Sequence, residues 1–165
     1  MAYEILRSEG TTLTIHQPSY SMLNRHIETG LLDTLGELGV GCIGFSALAQ
    51  GLLTNKYLSS TTQTGRASEA GTFKSDFLSQ TNLHNVRELS RIAEKRGQSL
   101  AQMTIAWVLR DNRVTSALIG AHSVAQLDES LDAVKNMNFI SDELSKVDEF
   151  AKDGGIDLWR EISLL

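Results

Sequence analysis

Apolar positions along the chain fall into two rhythms. Three short runs have strand character: residues 11–16, closed by Gln17, then "GCIGFS" (41–46) and "TSALIG" (115–120). Each is β-branched or apolar without clean alternation, the pattern of strands covered on both faces. Between and after them the apolar spacing becomes helical. "ETGLLDTLGELG" sets Leu31, Leu32, Leu35 and Leu38 on one stripe and stops at Gly39, suited to a left-handed cap. "NLHNVRELSRIAEKRG" does the same with Leu83, Val86, Leu89, Ile92 and Ala93, closing on Lys95, Arg96 and Gly97. "SLAQMTIAWVLRD" opens with Ser99 and Gln102 in capping-box spacing and is predicted to bury Leu100, Met103, Ala106 and Trp107. "SVAQLDESLDAV" repeats the device with Ser123 and Gln126, and its Leu127, Leu131 and Val134 are expected to face inward. A last helix from Ser141 is expected to bury Leu144, Val147 and Phe150. The alternation of strand and helix predicts βα units on a parallel sheet.

Composition changes this picture little. The chain has 165 residues, a one-domain length, with 41% hydrophobic residues and a net charge of −5. That balance argues against nucleic acid, whose backbone is held by clustered Lys and Arg. It leaves room for one bound phosphate group, which needs only a few well-placed donors. No apolar run approaches the length of a membrane span, and the opening "MAYEILRSEG" lacks a signal peptide's apolar block. The lone Cys42 reads as a small core residue, with no disulfide framework and no metal spacing, so a cytoplasmic location is expected. Residues 58–82 are polar with little periodicity before Phe73, which marks a functional loop or disorder.

In strand–helix units ligands collect at the carboxyl ends of the strands. Three stretches occupy those ends: "HQPSY", "FSALAQGLLTNKY" and "IGAHSVAQLDES". Together with "RVTS", "LIGA" and the tail "DGGIDLW" they resemble the C-terminal part of the aldo-keto reductases. The likeness is strongest to the branch of the potassium-channel β subunits and the bacterial glyceraldehyde-3-phosphate reductases. It implies a partial (β/α)8 TIM barrel: about three C-terminal βα units plus C-terminal helices, spanning residues 1–165. Residues 1–10 would be the remnant of a preceding helix and 58–82 a mobile loop over the cofactor.

The resemblance also implies an NADP (NADPH) site. Gln17 is similar to the family amide that holds the nicotinamide carboxamide, and Phe45 to an aromatic beside the cofactor. Ser46, Leu48 and Gln50 correspond to the loop along the pyrophosphate. Thr54, Lys56 and Arg66 resemble its hydroxyl and basic contacts, with Arg66 acting as a clasp. Gly120, Gln126 and Glu129 match the section around the adenosine end. Lys56 and Arg66 could equally be solvated surface charges, Phe45 ordinary core, and Gln126 a helix cap. Tyr20 invites a catalytic reading, but the family's proton-donating tyrosine lies far upstream, which makes Tyr20 a packing residue. The chain departs from the family at Ala47, Asn55, His122 and Ser130, where proline, glycine, a hydroxyl residue and asparagine are usual.

The family's catalytic Asp, Tyr, Lys and His lie on strands that have no counterpart here. The expectation is therefore the cofactor-binding portion of an NADP-dependent reductase, an oxidoreductase that is truncated and inactive in isolation. The alternative is a non-catalytic nucleotide-binding or interaction module, or a remnant. Three parallel strands cannot close a barrel, so a complementing N-terminal half-barrel, or self-association through the open edges, is the expected macromolecular partner.

Overall fold

The computed structural model describes residues 2–58 and 75–157. Strands β1 (Ile15–His16), β2 (Gly41–Gly44) and β3 (Ser116–Ala117) form one parallel sheet in the order β1-β2-β3. Ile15 is in register with Gly41, and Ile43 with Ser116. Further hydrogen bonds prolong both pairings: Phe45 N–H donates to Pro18 O and Tyr20 N–H to Phe45 O, each at 3.0 Å, and Leu118 N–H donates to Gly44 O at 2.8 Å. The three apolar runs therefore become parallel strands, but short ones. Only β2 has a strand on each side among the described residues, and only β2 alternates buried and half-buried positions. Both residues of β1 are exposed, so the expected cover on both faces holds for the centre of the sheet and not for its edges. Gly44 lets other elements approach β2 closely. A Cβ there would meet Val108 Cγ1 at 3.3 Å and Tyr20 Cβ at 3.5 Å.

Among the described residues six α-helices accompany the sheet: α1 (Ala2–Ser8), α2 (Leu31–Leu38), α3 (Gln80–Lys95), α4 (Leu100–Val108), α5 (Val124–Leu131) and α6 (Ser141–Phe150). Local signals set their ends. Gly39 takes a left-handed φ of 65° and Val40 N–H reaches back to Leu35 O at 2.9 Å, stopping α2. Ser99 Oγ accepts from Gln102 N–H, and Gln102 Oε1 accepts from Ser99 N–H, closing the capping box of α4. All of α4 except Gln102 is buried, which makes it the centre of the core. Arg96 does more than face the end of α3. Its guanidinium binds Glu143 and the Asn136 and Asn138 carbonyls, tying α3 to the start of α6.

Helix α5 departs from expectation. Leu127, Leu131 and Val134 do not face inward; they are 41%, 53% and 60% exposed. A helical stripe is buried only if a neighbour lies over it, and no described element does. In α6, Val147 is buried as expected while Leu144 and Phe150 are half-buried.

The turn after β1 is locked by ionic groups around Trp107. Tyr20 is fully buried, and its hydroxyl donates to Glu28 Oε1 at 2.6 Å and accepts from Arg110 at 2.8 Å. Arg25 pairs with Glu28 and with Asp148 of α6, both at 2.7 Å. Tyr20 is thus a packing residue, sealed from solvent. Burial pushes its hydroxyl well above the ordinary value of 10.0, only partly opposed by the Arg110 charge. A raised phenol keeps its proton in the fold while the unfolded chain gives its own up, so stability falls as pH rises through about 10. Urea titrations at pH 8–11 should show this alkaline decline in the parent chain and a weaker one in Tyr20→Phe. At the other end, the partial loss of water around the imidazole, and after it the neighbouring His26, lower His16 below 6.5 although the residue stays exposed at the sheet edge. Its contribution is therefore lost as pH falls through about 6.5.

No helix among the described residues is long and apolar enough to cross a membrane.

Candidate functional site

The chain leaving β2 turns sharply over the carboxyl end of the sheet. Ser46, Ala49 and Gln50 all have left-handed backbones (φ 57°, 47° and 58°), followed by Gly51 at 96°. A side chain in this region costs about 1–3 kcal/mol and persists only where the surroundings hold it. Here Ala47, Ala49, Leu52 and Leu53 are buried beneath the turn, and Ala49 N–H donates to Ser46 O at 2.8 Å. The amides of Ala47 and Leu48 find no backbone acceptor among the described residues. Replacing Ser46 by valine should cost about 1–3 kcal/mol, because a β-branched residue fits the left-handed region poorly, whereas Ser46→Gly should be tolerated. Urea denaturation of both variants checks this.

Above the turn lies a cavity of about 660 Å³, within the range of small-molecule sites. Phe45, Ser46, Leu48, Gln50, Thr54 and Lys56 line it from the β2 side. Gly120, His122 and Gln126 line it from the β3 side. An adjoining cavity of about 300 Å³ shares Leu48, Thr54, Lys56 and Gln126, and adds Glu129 together with Ser99 at the start of α4. The two form one elongated groove, apolar where Phe45 and Leu48 contribute and polar along Lys56, Gln126 and Glu129.

The groove gathers nine of the expected site residues from separate parts of the chain. Gln17 is not among them: it is exposed at the end of β1 and lines neither cavity. Arg66, and residues 59–74 of the expected cofactor loop, lie outside the described residues. Two expected contacts also have local tasks. The Thr54 hydroxyl donates to Gly51 O at 2.7 Å and its oxygen accepts from Lys56 N–H at 3.3 Å, so it caps the turn that carries Lys56. Gln126 Oε1 accepts from His122 N–H at 3.0 Å rather than from Ser123, so the second capping box is not reciprocal. Its Nε2 remains as the end able to donate into the groove. Ser99 and Ser130 were not singled out as lining residues. The capping motif located Ser99 at a helix start without showing that this start faces the groove.

As a donor set the groove suits a phosphate-bearing, partly aromatic ligand. A cation, two amides without backbone acceptors and an amide side chain can meet anionic oxygens, while the half-buried Phe45 ring offers an apolar face.

A model of the Aldo/keto reductase family matches residues 2–152. L-glyceraldehyde 3-phosphate reductase of Escherichia coli (strain K12) is 46% identical over 165 residues, covering 97% of this chain and 48% of its own length. A protein described as a voltage-gated potassium channel subunit beta, from Schizosaccharomyces pombe, is 34% identical over 81% of this chain and 40% of its own. A similarly described protein from Arabidopsis thaliana is 33% identical over 73% of this chain and 38% of its own. The chain spans about half the length of the first of these relatives, and less of the other two.

Proposed function

Because the chain belongs to the aldo-keto reductase family, we propose that it is the part of an NADP-dependent carbonyl reductase that holds the dinucleotide. The observation that carries this reading is the groove itself. Residues 45–56 and 118–129 are far apart in sequence, yet they face each other across continuous space over the carboxyl end of the sheet. Members of the family bind nicotinamide dinucleotides. In this reading Phe45 packs beside the nicotinamide, and the turn at Ser46–Gln50 directs its amides at the pyrophosphate. Lys56 supplies the positive charge, Gln126 and Glu129 border the adenosine end, and Arg66 closes over the phosphates. Gln17 would join only by turning inward from its exposed position. Thr54 serves by fixing Lys56. When bound, the cofactor would supply a hydride to a carbonyl carbon; this chain's residues bind it, orient it and keep water from one face.

The reaction also needs a proton for the carbonyl oxygen. The described residues place no tyrosine hydroxyl in the groove, since Tyr20 is buried within its ionic cluster, and Lys56 and His122, which do line it, in this reading border the nucleotide rather than the carbonyl. The chain by itself is therefore inactive, and carbonyl reduction, in the cytoplasm, requires the portion that the relatives carry and this chain does not match. The likeness to a glyceraldehyde 3-phosphate reductase favours a small aldehyde as substrate.

Thermal melting tests the binding claim. NADP+ at about 100 times its dissociation constant should stabilise the chain by about 2.7 kcal/mol, visible as a shift of several degrees. An unchanged melting temperature at saturating NADP+ and NADPH would end the reading. The same preparation mixed with NADPH and a small aldehyde should show no loss of absorbance at the reduced-cofactor band. Turnover by the pure chain would refute its inactivity.

A further inference from the structure

The β3 side of the groove is short of positive charge. Residues 118–129 contain Asp128 and Glu129 and neither lysine nor arginine, so His122 is the one side chain there able to become cationic. His122 lines the larger cavity beside Gly120 and Gln126. Its place is fixed through the backbone. The His122 N–H donates to Gln126 Oε1 at 3.0 Å, and Ser123 Oγ accepts from Gln126 N–H at 3.2 Å, which pins the residue just ahead of α5. His122 is exposed, and its imidazole makes no hydrogen bond or ion pair among the described residues. Two other charged side chains among the described residues line the groove. Lys56 stands on the opposite wall, and Glu129 lies on α5 in the adjoining cavity. The start of α4 adds Ser99, Leu100 and Ala101, none of them titratable.

Histidine changes its charge between pH 5 and 8, whereas lysine, arginine and glutamate do not. Lys56 and Glu129 therefore set a constant background across that interval, as would Arg66, which lies outside the described residues. NADP differs from NAD by one phosphate on the adenosine ribose, the end of the ligand that Gln126 and Glu129 border in the dinucleotide reading. We propose that His122 makes the choice between NADP and NAD depend on pH: its imidazolium meets the ribose phosphate, and its neutral form leaves that phosphate beside a wall of negative charge. An imidazolium donates a charge-assisted hydrogen bond to a phosphate oxygen. Once the proton is lost, residues 118–129 carry only the two carboxylates, which repel an additional anion. NAD has no phosphate there and feels the change far less. The hydroxyl residue usual in the family at this position has no charge to gain, so the pH dependence belongs to this chain. The inference rests on the dinucleotide reading and adds to it the residue that discriminates between the two ligands.

Isothermal titration of the chain with NADP+ and with NAD+ at pH 6, 7 and 8 tests this. The ratio of the two dissociation constants should favour NADP+ most at pH 6 and fall by about five- to ten-fold by pH 8. A phosphate monoester itself gains negative charge over this interval, its second pKa being about 6, which works against that fall. In His122→Gln the ratio should stay level or rise with pH. In His122→Lys, which carries a permanent cation, the ratio at pH 8 should match that of the parent at pH 6. Affinity for NAD+ should be alike in all three chains, which also shows that the substitutions leave the groove intact. A parent ratio that is flat with pH, or one that falls as steeply in His122→Gln, overturns the proposal. So does an NAD+ affinity that declines with pH alongside that of NADP+, since the imidazole would then face the pyrophosphate. In those cases the measured binding leaves the dinucleotide reading standing. Failure to bind either dinucleotide at any pH ends both.

Discussion

Trp107→Ala should remove most of the stability of the fold, about 3–5 kcal/mol, whereas Trp107→Phe should cost far less. The Trp107 ring is fully buried, 5.4 Å from the Tyr20 ring and 3.6 Å from the Arg110 guanidinium, with Arg25 at 5.2 Å. Alanine leaves a large void and takes from two cations the aromatic face they pack on. Against a typical total of about 5–15 kcal/mol, that loss brings the chain close to unfolding. Phenylalanine keeps a ring in place. It also removes a donor that is already idle, since Trp107 Nε1 is buried with no hydrogen-bond partner among the described residues. Chemical denaturation of the two variants separates these cases. Equal losses would mean that the indole nitrogen, and not the ring, holds the cluster.

The second large effect is on binding. Lys56→Glu should weaken NADP+ by about 10- to 100-fold, the scale of losing a charge-assisted contact to phosphate. Melting of the variant without nucleotide should match the parent, because Lys56 is exposed and its turn is capped through backbone and Thr54. Isothermal titration gives both enthalpy and affinity for the comparison. A variant that binds as well as the parent would move the phosphates away from this end of the groove.

Local features of the fold were legible in the sequence, and those that depend on distant cover were not. The Ser99–Gln102 box and the Gly39 stop are decided within a few residues, and the structure forms both. The three apolar runs gave a parallel sheet in chain order for the same reason that any βα succession does. The stripe of α5 shows the limit. Its periodicity states that one face is apolar, not that anything lies over it, and Leu127, Leu131 and Val134 stand exposed. The cluster around Trp107 has no signature in the sequence because Tyr20 and Glu28, Arg110, and Asp148 come from three separate regions with no common motif.

The candidate site divides in the same way. Phe45, Ser46, Leu48, Gln50, Lys56, Gly120 and Gln126 were recognisable from the stretches that resemble the family, and they border one groove. The left-handed backbones at Ser46, Ala49 and Gln50 were not, since no glycine announces them. Nor could sequence tell that Gln126 would spend its oxygen on His122, one residue before the helix cap.

Amide hydrogen exchange with and without saturating NADP+ reads the groove residue by residue. Protection confined to residues 45–56 and 118–129, with α6 unchanged, is the predicted profile. A profile that does not change on adding the nucleotide, or one that changes only along α6 and the Arg25–Asp148 contact, would contradict it.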